Sequence, residues 1–483
     1  MKKSISILLA LLLAVPSFAG DKAEKTSDAP VKDHLQNHFK LYGFIRNYFA
    51  FDSRESISGT GDLFYYLPKD ESIKDGVDIN DTPSFRFLAL TSRVGFDVSG
   101  YYINNLHFGA KIEGDFYSGL AAAKTATGLS GNTSVSGTAQ ARLRQAYVTL
   151  TWKDLPMHGE KTAQVGLKMG QAWHPMAADM PHVFSLEAGA PFGPFSRTPQ
   201  VTMDAALGEH WILSAAAIWQ QQYQSAGPDG ASAAYMKYGC TPEIYAGVTV
   251  KGKEVLFRGG VDVVSIKPRN VGPNADVMVH VKDRKTSVLG YVYGQYNHKL
   301  LSIKAKTTFG EGGEHMNLMS GYAVVDKTDP TNWKYASMVN SSSWLSLCYG
   351  KKWQGVLYLG YVKNFGLAED IGRKLINSTN ADGGAPEVYF CGNGFSNINQ
   401  MYRINPQLLY NLGKFTLGLE YQWTAVQYGS YQSVSRVNNE GQPVLNKDGK
   451  PIVDKCLSGR ALATENLHWV GNNRVNMMVK FTF

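Results

Sequence analysis

The chain runs to 483 residues, with a formal net charge of +8 and a mean hydropathy of -0.22. Only 18% of its residues are charged, whereas Gly 49, Tyr 26, Phe 22 and Trp 9 are plentiful, a balance that suits strands and turns better than helices. Beyond the N-terminus no apolar run reaches the ~20 residues of a spanning helix. The lack of such a run excludes a helical membrane protein, and the spread of basic residues along the chain argues against nucleic acid as a partner.

In chain order, residues 1–19 read as a signal peptide: Lys2 and Lys3, an apolar run over 5–15, and a small-x-small site ending at Ala19. Residues 20–37 are polar and patternless, and are expected to form a flexible periplasmic leader. From His38 onward, stretches with apolar residues at every second position recur sixteen times. They lie near 39–51, 84–99, 104–117, 141–152, 162–171, 199–208, 210–222, 242–251, 254–267, 284–297, 299–310, 342–351, 353–365, 400–411, 413–427 and 468–483. In LHFGAKIEGDF, Leu106, Phe108, Ala110, Ile112, Gly114 and Phe116 share one face, and Lys111, Glu113 and Asp115 the other. The last stretch places Val475, Met477, Val479, Phe481 and Phe483 on one face. Two stretches alternate poorly: the first mixes Arg46 and Tyr48 with Phe44, and Arg144 falls on the apolar parity of Ala146, Val148 and Leu150.

The connections between these stretches alternate long and short. The long ones are 52–83, 118–140, 172–198, 223–241, 268–283, 311–341, 366–399 and 428–467, while turns such as GE at 208–209 and LG at 412–413 hold two residues. A soluble sandwich has no reason to gather its long loops at one end. An outer-membrane barrel does, having short periplasmic turns, long external loops and an even strand number. The expected fold is therefore an all-β, transmembrane antiparallel β-barrel of about 16 strands over 38–483, embedded in outer-membrane lipid and lipopolysaccharide.

A barrel this wide normally encloses water. The third long connection, 172–198, is rich in Pro, Ala and Phe and poor in charge, so it is expected to fold inward as a constriction loop, with Trp173, His174 and His182 on it and Arg197 at its end. KMGQAWHPM and AGAPFGPFSRTPQV resemble the loop and following strand of the DcaP-type family of sixteen-stranded porins, through Gly170, Gln171 and Trp173, then Arg197, Pro199 and Gln200. That resemblance implies a homotrimeric channel for small, often anionic solutes such as dicarboxylates. The leader's lack of heptads departs from those members that carry a helical stalk.

By strand parity the lumen receives Arg93, Lys111, Lys168, Arg258, Lys304, Lys306 and Arg403 among basic residues, and Glu113, Asp115, Asp262 and Glu420 among acidic ones. Rings of Arg or Lys favour anions, so a mild anion preference is expected. Four cysteines in an exported chain are compatible with disulfides, and Cys391 with Cys456, both in polar loops, is the expected pair. His174 and His182 stand eight apart, too far for a helical metal pair, so no metal site and no cofactor are expected. GxSxG, HExxH and Walker signatures are absent. The function expected is passive diffusion of small hydrophilic solutes, not enzymatic turnover. The rival readings are a barrel-anchored surface adhesin or receptor and an outer-membrane hydrolase.

Overall fold

A computed structural model describes residues 38–483 apart from 59–64, 90, 119–122, 126–127, 131–138, 158–161, 185–188, 229, 275, 377–389, 393–395, 439 and 461–462. The signal and leader segments expected over 1–37 lie outside the described residues.

Sixteen antiparallel strands close into a barrel. In chain order they are β1 Phe39–Asp52, β2 Arg93–Ile103, β3 Leu106–Ser118, β4 Ala139–Pro156, β5 Thr162–Trp173, β6 Arg197–Leu207, β7 Trp211–Ile218, β8 Glu243–Lys251, β9 Val255–Ile266, β10 Lys285–His298, β11 Leu301–Glu311, β12 Lys334–Gly350, β13 Trp353–Leu367, β14 Ile398–Leu412, β15 Phe415–Ser430 and β16 Glu465–Thr482. Each pairs with its chain neighbour, and β1 pairs with β16 over Phe44↔Thr482 to Asp52↔Arg474, which leaves the barrel without an edge. A separate strand, Ser84–Leu88, pairs with the upper part of β1 ahead of β2. The expected strand number is borne out. Several limits move: β2 begins at Arg93 rather than near 84, β4 ends at Pro156 rather than near 152, β7 ends at Ile218 rather than near 222, and β12 begins at Lys334 rather than near 342. The added part of β12 escaped the parity test because Ala336, Ser337 and Met338 are all buried, so neither face stays exposed.

The barrel inverts the usual order of burial. On β15, Leu417, Leu419 and Tyr421 are 50%, 51% and 42% exposed, whereas Glu420, Gln422 and Thr424 between them are 0–1% exposed. In water, each such leucine would forgo roughly 1.5–3 kcal/mol of burial; in lipid the same face is at home. Val475, Met477 and Val479 on β16 continue this outer belt. The short turns hold residues suited to tight reversal, as at Gly413 between β14 and β15, whose φ of +59° favours glycine.

The long connections build their own structure at the other end. Ser56–Ser58 pairs with Tyr65–Pro68, Gly321–Asp326 with β12, and Arg373–Ile376 with Val453–Ser458. Leu67, Met316, Leu318, Met319 and Ala323, all fully buried, pack with the inward faces of β12–β15 in one apolar core. The barrel is therefore filled on that side.

Candidate functional site in the barrel lumen

The connection between β5 and β6 leaves the wall at Trp173 and returns opposite it, since Trp173 pairs with Arg197. Its residues 174–196 must project from one point, and their partners show where. Lys306 Nζ donates to the carbonyls of Met176 (2.7 Å) and Asp179 (2.6 Å), and Lys304 Nζ to that of Met180 (3.3 Å). Arg258 donates to the Asp179 carboxylate at 2.5 Å. Further along, the His182 amide donates to Ser346 Oγ (3.0 Å), the Phe184 amide to Gln407 Oε1 (3.1 Å) and the Tyr358 hydroxyl to the Gly189 carbonyl (3.2 Å). Tyr48 on β1 donates to the Phe184 carbonyl. The partners run from β9 through β14 to β1, so the segment lies inside the barrel against its far wall.

Its apolar residues explain that position. Met176 and Phe192 are fully buried and Phe195 is nearly so. Phe192 lies against Gly360 of β13, where a Cβ would stand 2.6 Å from the ring; any larger residue there would push the segment off the wall. Gly193 makes the same allowance for the Trp344 indole.

The opposite side of the lumen stays open. A cavity of about 560 Å³ is lined by Tyr147, Lys168, Trp173, Asp204, Tyr245 and Arg258, among others. A second, of about 570 Å³, shares Tyr147, Thr149, Thr151 and Gln164 with it and extends to Lys40, His107 and Lys153 near the short-turn end.

Above this path stands a basic cluster. Arg144 donates to Glu113 (2.7 Å) and Asp115 (2.7 Å), Arg142 grips Asp115 through two bonds of 2.9 Å, and Arg93 lies 3.8 Å from Glu113. Arg197 sits 4.9 Å over the Trp173 ring and donates to Gln222 at 3.0 Å, while Arg46 donates to Thr91 at 2.9 Å. Arg46, Arg93 and Arg197 all lie within electrostatic reach of Arg144 and Asp115. Five guanidinium groups thus surround two carboxylates, and Arg93 and Arg142 keep 23% and 17% side-chain exposure.

Comparison with solved structures finds the same architecture elsewhere. The outer membrane channel DcaP of Acinetobacter baumannii matches at a TM-score of 0.55 with 18% identity, covering 92% of this chain and 97% of that one. An anion-selective porin from Comamonas acidovorans matches at 0.50 with 10% identity, covering 92% and 99%. The chain has the fold of the sixteen-stranded outer-membrane porins. No protein-family model matches it, and no curated protein does.

Within this porin barrel the expected lumen residues separate into groups. Arg93, Glu113, Asp115, Trp173 and Arg197 meet in the basic cluster, while Lys168 and Arg258 line the open cavity. Lys111 pairs with Asp97 at 2.5 Å beside the second cavity. Lys304, Lys306 and Arg403 lie behind the in-folded segment; Arg403 donates to Thr424 (2.9 Å) and sits 4.9 Å over the Phe192 ring. Glu420, fully buried, accepts from Asn476 at 3.4 Å. His182 touches Ser302 Oγ at 3.0 Å, and burial with the nearby Lys304 charge holds its pKa down at about 4. His174 and Asp262 are buried together with Glu243 and His315 and do not line the open cavity, although Trp173, Pro175 and Tyr245 beside them do. Although burial opposes its charged form, the Glu243 and Asp262 carboxylates push His315 up to about 10.

Sequence parity missed Arg142, Arg144 and Arg46. The cause at Arg144 is a β-bulge: the register to β3 steps from Leu143 to Gln145, so Arg144 is the extra residue and the parity flips across it. Arg142 and Arg144 then both point inward while Leu143 and Val148 stay outside. A charged residue on an apolar parity was the available signal. Cys456 is a free, buried thiol and makes no bridge. The side chain of Cys391, its expected partner, lies outside the described residues.

Proposed function

We propose that this protein is a porin through which small hydrophilic solutes diffuse passively, with a preference for anions. The observation that carries the reading is the cluster of five arginines around two carboxylates in the lumen, above an open cavity lined by Lys168 and Arg258. Low-dielectric walls focus such a field on whatever passes. The fold shared with an outer membrane channel and with an anion-selective porin supports it. Small dicarboxylates suit two-point contact with paired guanidinium groups, and a homotrimer, which cross-linking in detergent would reveal, is the assembly we infer. Passage needs no cofactor and no bond cleavage. Among the described residues the serine hydroxyl that meets an imidazole is Ser302, against His182, but Ser302 directs its proton to Asn297 at 2.6 Å and an imidazole held at about 4 is a weak base. That arrangement disfavours a hydrolase.

One observation favours a second reading. The apolar core formed by Leu67, Met316, Leu318 and Met319 fills the long-loop end, as it would in a barrel that only anchors surface loops. Single-channel recording across a salt gradient decides between them. Open steps with a reversal potential on the anion side support the porin, whereas silence from a folded, inserted barrel leaves the anchor. Arg142→Gln leaves Asp115 paired to Arg144 and removes one positive charge. One charge at 4 Å in water is worth about 1 kcal/mol, a factor of about five, so the anion-to-cation permeability ratio falls by up to that factor, and by less in high salt.

A further inference from the structure

Four side chains from distant parts of the chain meet behind the root of the in-folded segment: His174 at its start, Glu243 at the start of β8, Asp262 within β9, and His315 in the turn Glu314–Met316. Their exposures are 0%, 0%, 1% and 3%. Ligand atoms of His174, Glu243 and Asp262 all lie within 4.8 Å of one another. His315 Nε2 is 3.5 Å from Glu243 Oε2 and 3.6 Å from Asp262 Oδ2.

Two features set this cluster apart from an ordinary buried ion pair. Both carboxylate oxygens of Asp262, and His315 Nε2, have no hydrogen-bond partner although they are buried, a costly arrangement for a charged group. The two distances from His315 are also too long for good hydrogen bonds, yet they match two edges of roughly 3.4 Å in a tetrahedron with metal–ligand bonds of about 2.1 Å. His174 has a separate task. Its Nδ1 accepts the Met176 amide proton (3.1 Å), which places the neutral ring's own proton on Nε2, and that proton is donated to Glu243 Oε1 at 2.6 Å. Gln220 donates to Glu243 Oε2 at 3.2 Å. Glu243 is therefore oriented from outside, as metal-bound carboxylates usually are.

We infer that His315, Asp262 and Glu243 bind a divalent transition-metal ion of the zinc class, with His174 as the positioning residue that holds Glu243. An imidazole with two carboxylates suits such an ion, and two negative charges balance it. The ion would join β8 and β9 to both ends of the in-folded segment: to its start through His174, and to its end through the turn whose Met316 carbonyl accepts the Phe195 amide at 2.8 Å. The site is closed, so the metal would enter during folding.

The test is metal content, read without reference to current, so its failure and the failure of the porin reading are separate. The full chain is folded into detergent with Zn²⁺, dialysed against a weak chelator and analysed by elemental mass spectrometry. About one zinc per chain is expected for a closed three-ligand site. Asp262→Asn and His315→Gln lose it, His174→Ala weakens retention by about 10–100-fold, and His182→Gln, outside the cluster, retains it. Should the variants fail to fold, the wild-type barrel folded with Co²⁺ still decides the matter. Its visible absorption reports low-coordinate nitrogen and oxygen ligation if the proposal holds. No retained zinc and no cobalt spectrum in the folded wild-type barrel would overturn the site and leave the cluster as carboxylates neutralised by protonated imidazole.

Discussion

The two sides of the lumen use the same residue types for opposite ends. On the β9–β14 side, Arg258, Lys304 and Lys306 spend their N–H groups on Asp179 and on the carbonyls of residues 176–180, and Arg403 sits beneath Phe192. These cations hold a loop in place. On the β1–β6 side, Arg46, Arg93, Arg142, Arg144 and Arg197 gather around Glu113 and Asp115 with positive charge in excess. Counting lumen charges along the chain would treat both sets as selectivity residues. Geometry shows that the loop's carbonyls and the Asp179 carboxylate engage Lys304, Lys306 and Arg258, while the arginine cluster keeps an excess of positive charge.

The most drastic way to break that division is to remove the loop. Replacing residues 178–194 with a short Gly-Ser link exposes Lys304, Lys306 and Arg403 to the lumen and frees Arg258, which already lines the open cavity, from Asp179. Single-channel conductance should then rise several-fold, and the reversal potential should move further toward the anion limit, because both sides become basic. A conductance unchanged by the excision would mean that the narrowest point lies elsewhere, in the filled long-loop end.

A smaller perturbation sharpens the same comparison. Phe192→Ala removes a fully buried ring from between Tyr358, Gly360 and Arg403. Cavity creation at such a site costs about 3–5 kcal/mol. The cost falls on the seating of the segment more than on the barrel's strand pairing, so current noise should increase while the thermal unfolding midpoint moves little. A large fall in the midpoint with quiet channels would show that the segment and barrel unfold as one unit.

The barrel was legible in the sequence because lipid on one side and water on the other impose a period of two, and loop lengths record which end is which. The in-folded segment announced itself by apolar residues such as Met176, Phe192 and Phe195 in a connection. What the sequence hid follows from two physical causes. A single bulge between Leu143 and Gln145 shifts parity by one, which concealed the inward course of Arg144 and Arg142. The His174 cluster was invisible for another reason. Glu243 lies 69 residues away along the chain and is brought into contact only by barrel closure, so no local spacing could reveal it. The carboxylates that meet His174 come from β8 and β9, not from its own segment.

The subtlest expected effect separates the loop side from the arginine side by pH. His182 has its pKa held at about 4, below the ordinary 6.5, by burial and by Lys304. Above pH 6.5 the ring is neutral whether or not the segment is seated, so seating does not vary with pH through this group. Between pH 6.5 and about 4 the unseated ring takes up a proton that the seated ring refuses, and seating weakens as pH falls; below about 4 both forms are protonated and the loss is complete. His182 is part-exposed, so solvent screening reduces the size of this loss. Channel flicker should therefore grow as pH falls from 6.5 toward 4, and His182→Gln, which carries no titrating ring, should flatten that dependence. The arginines opposite stay charged throughout this range, so anion preference measured in open steps should not follow the flicker. If both change together in the wild type and neither responds to His182→Gln, then carboxylates of the arginine cluster, Glu113 and Asp115 foremost, govern the pH response instead.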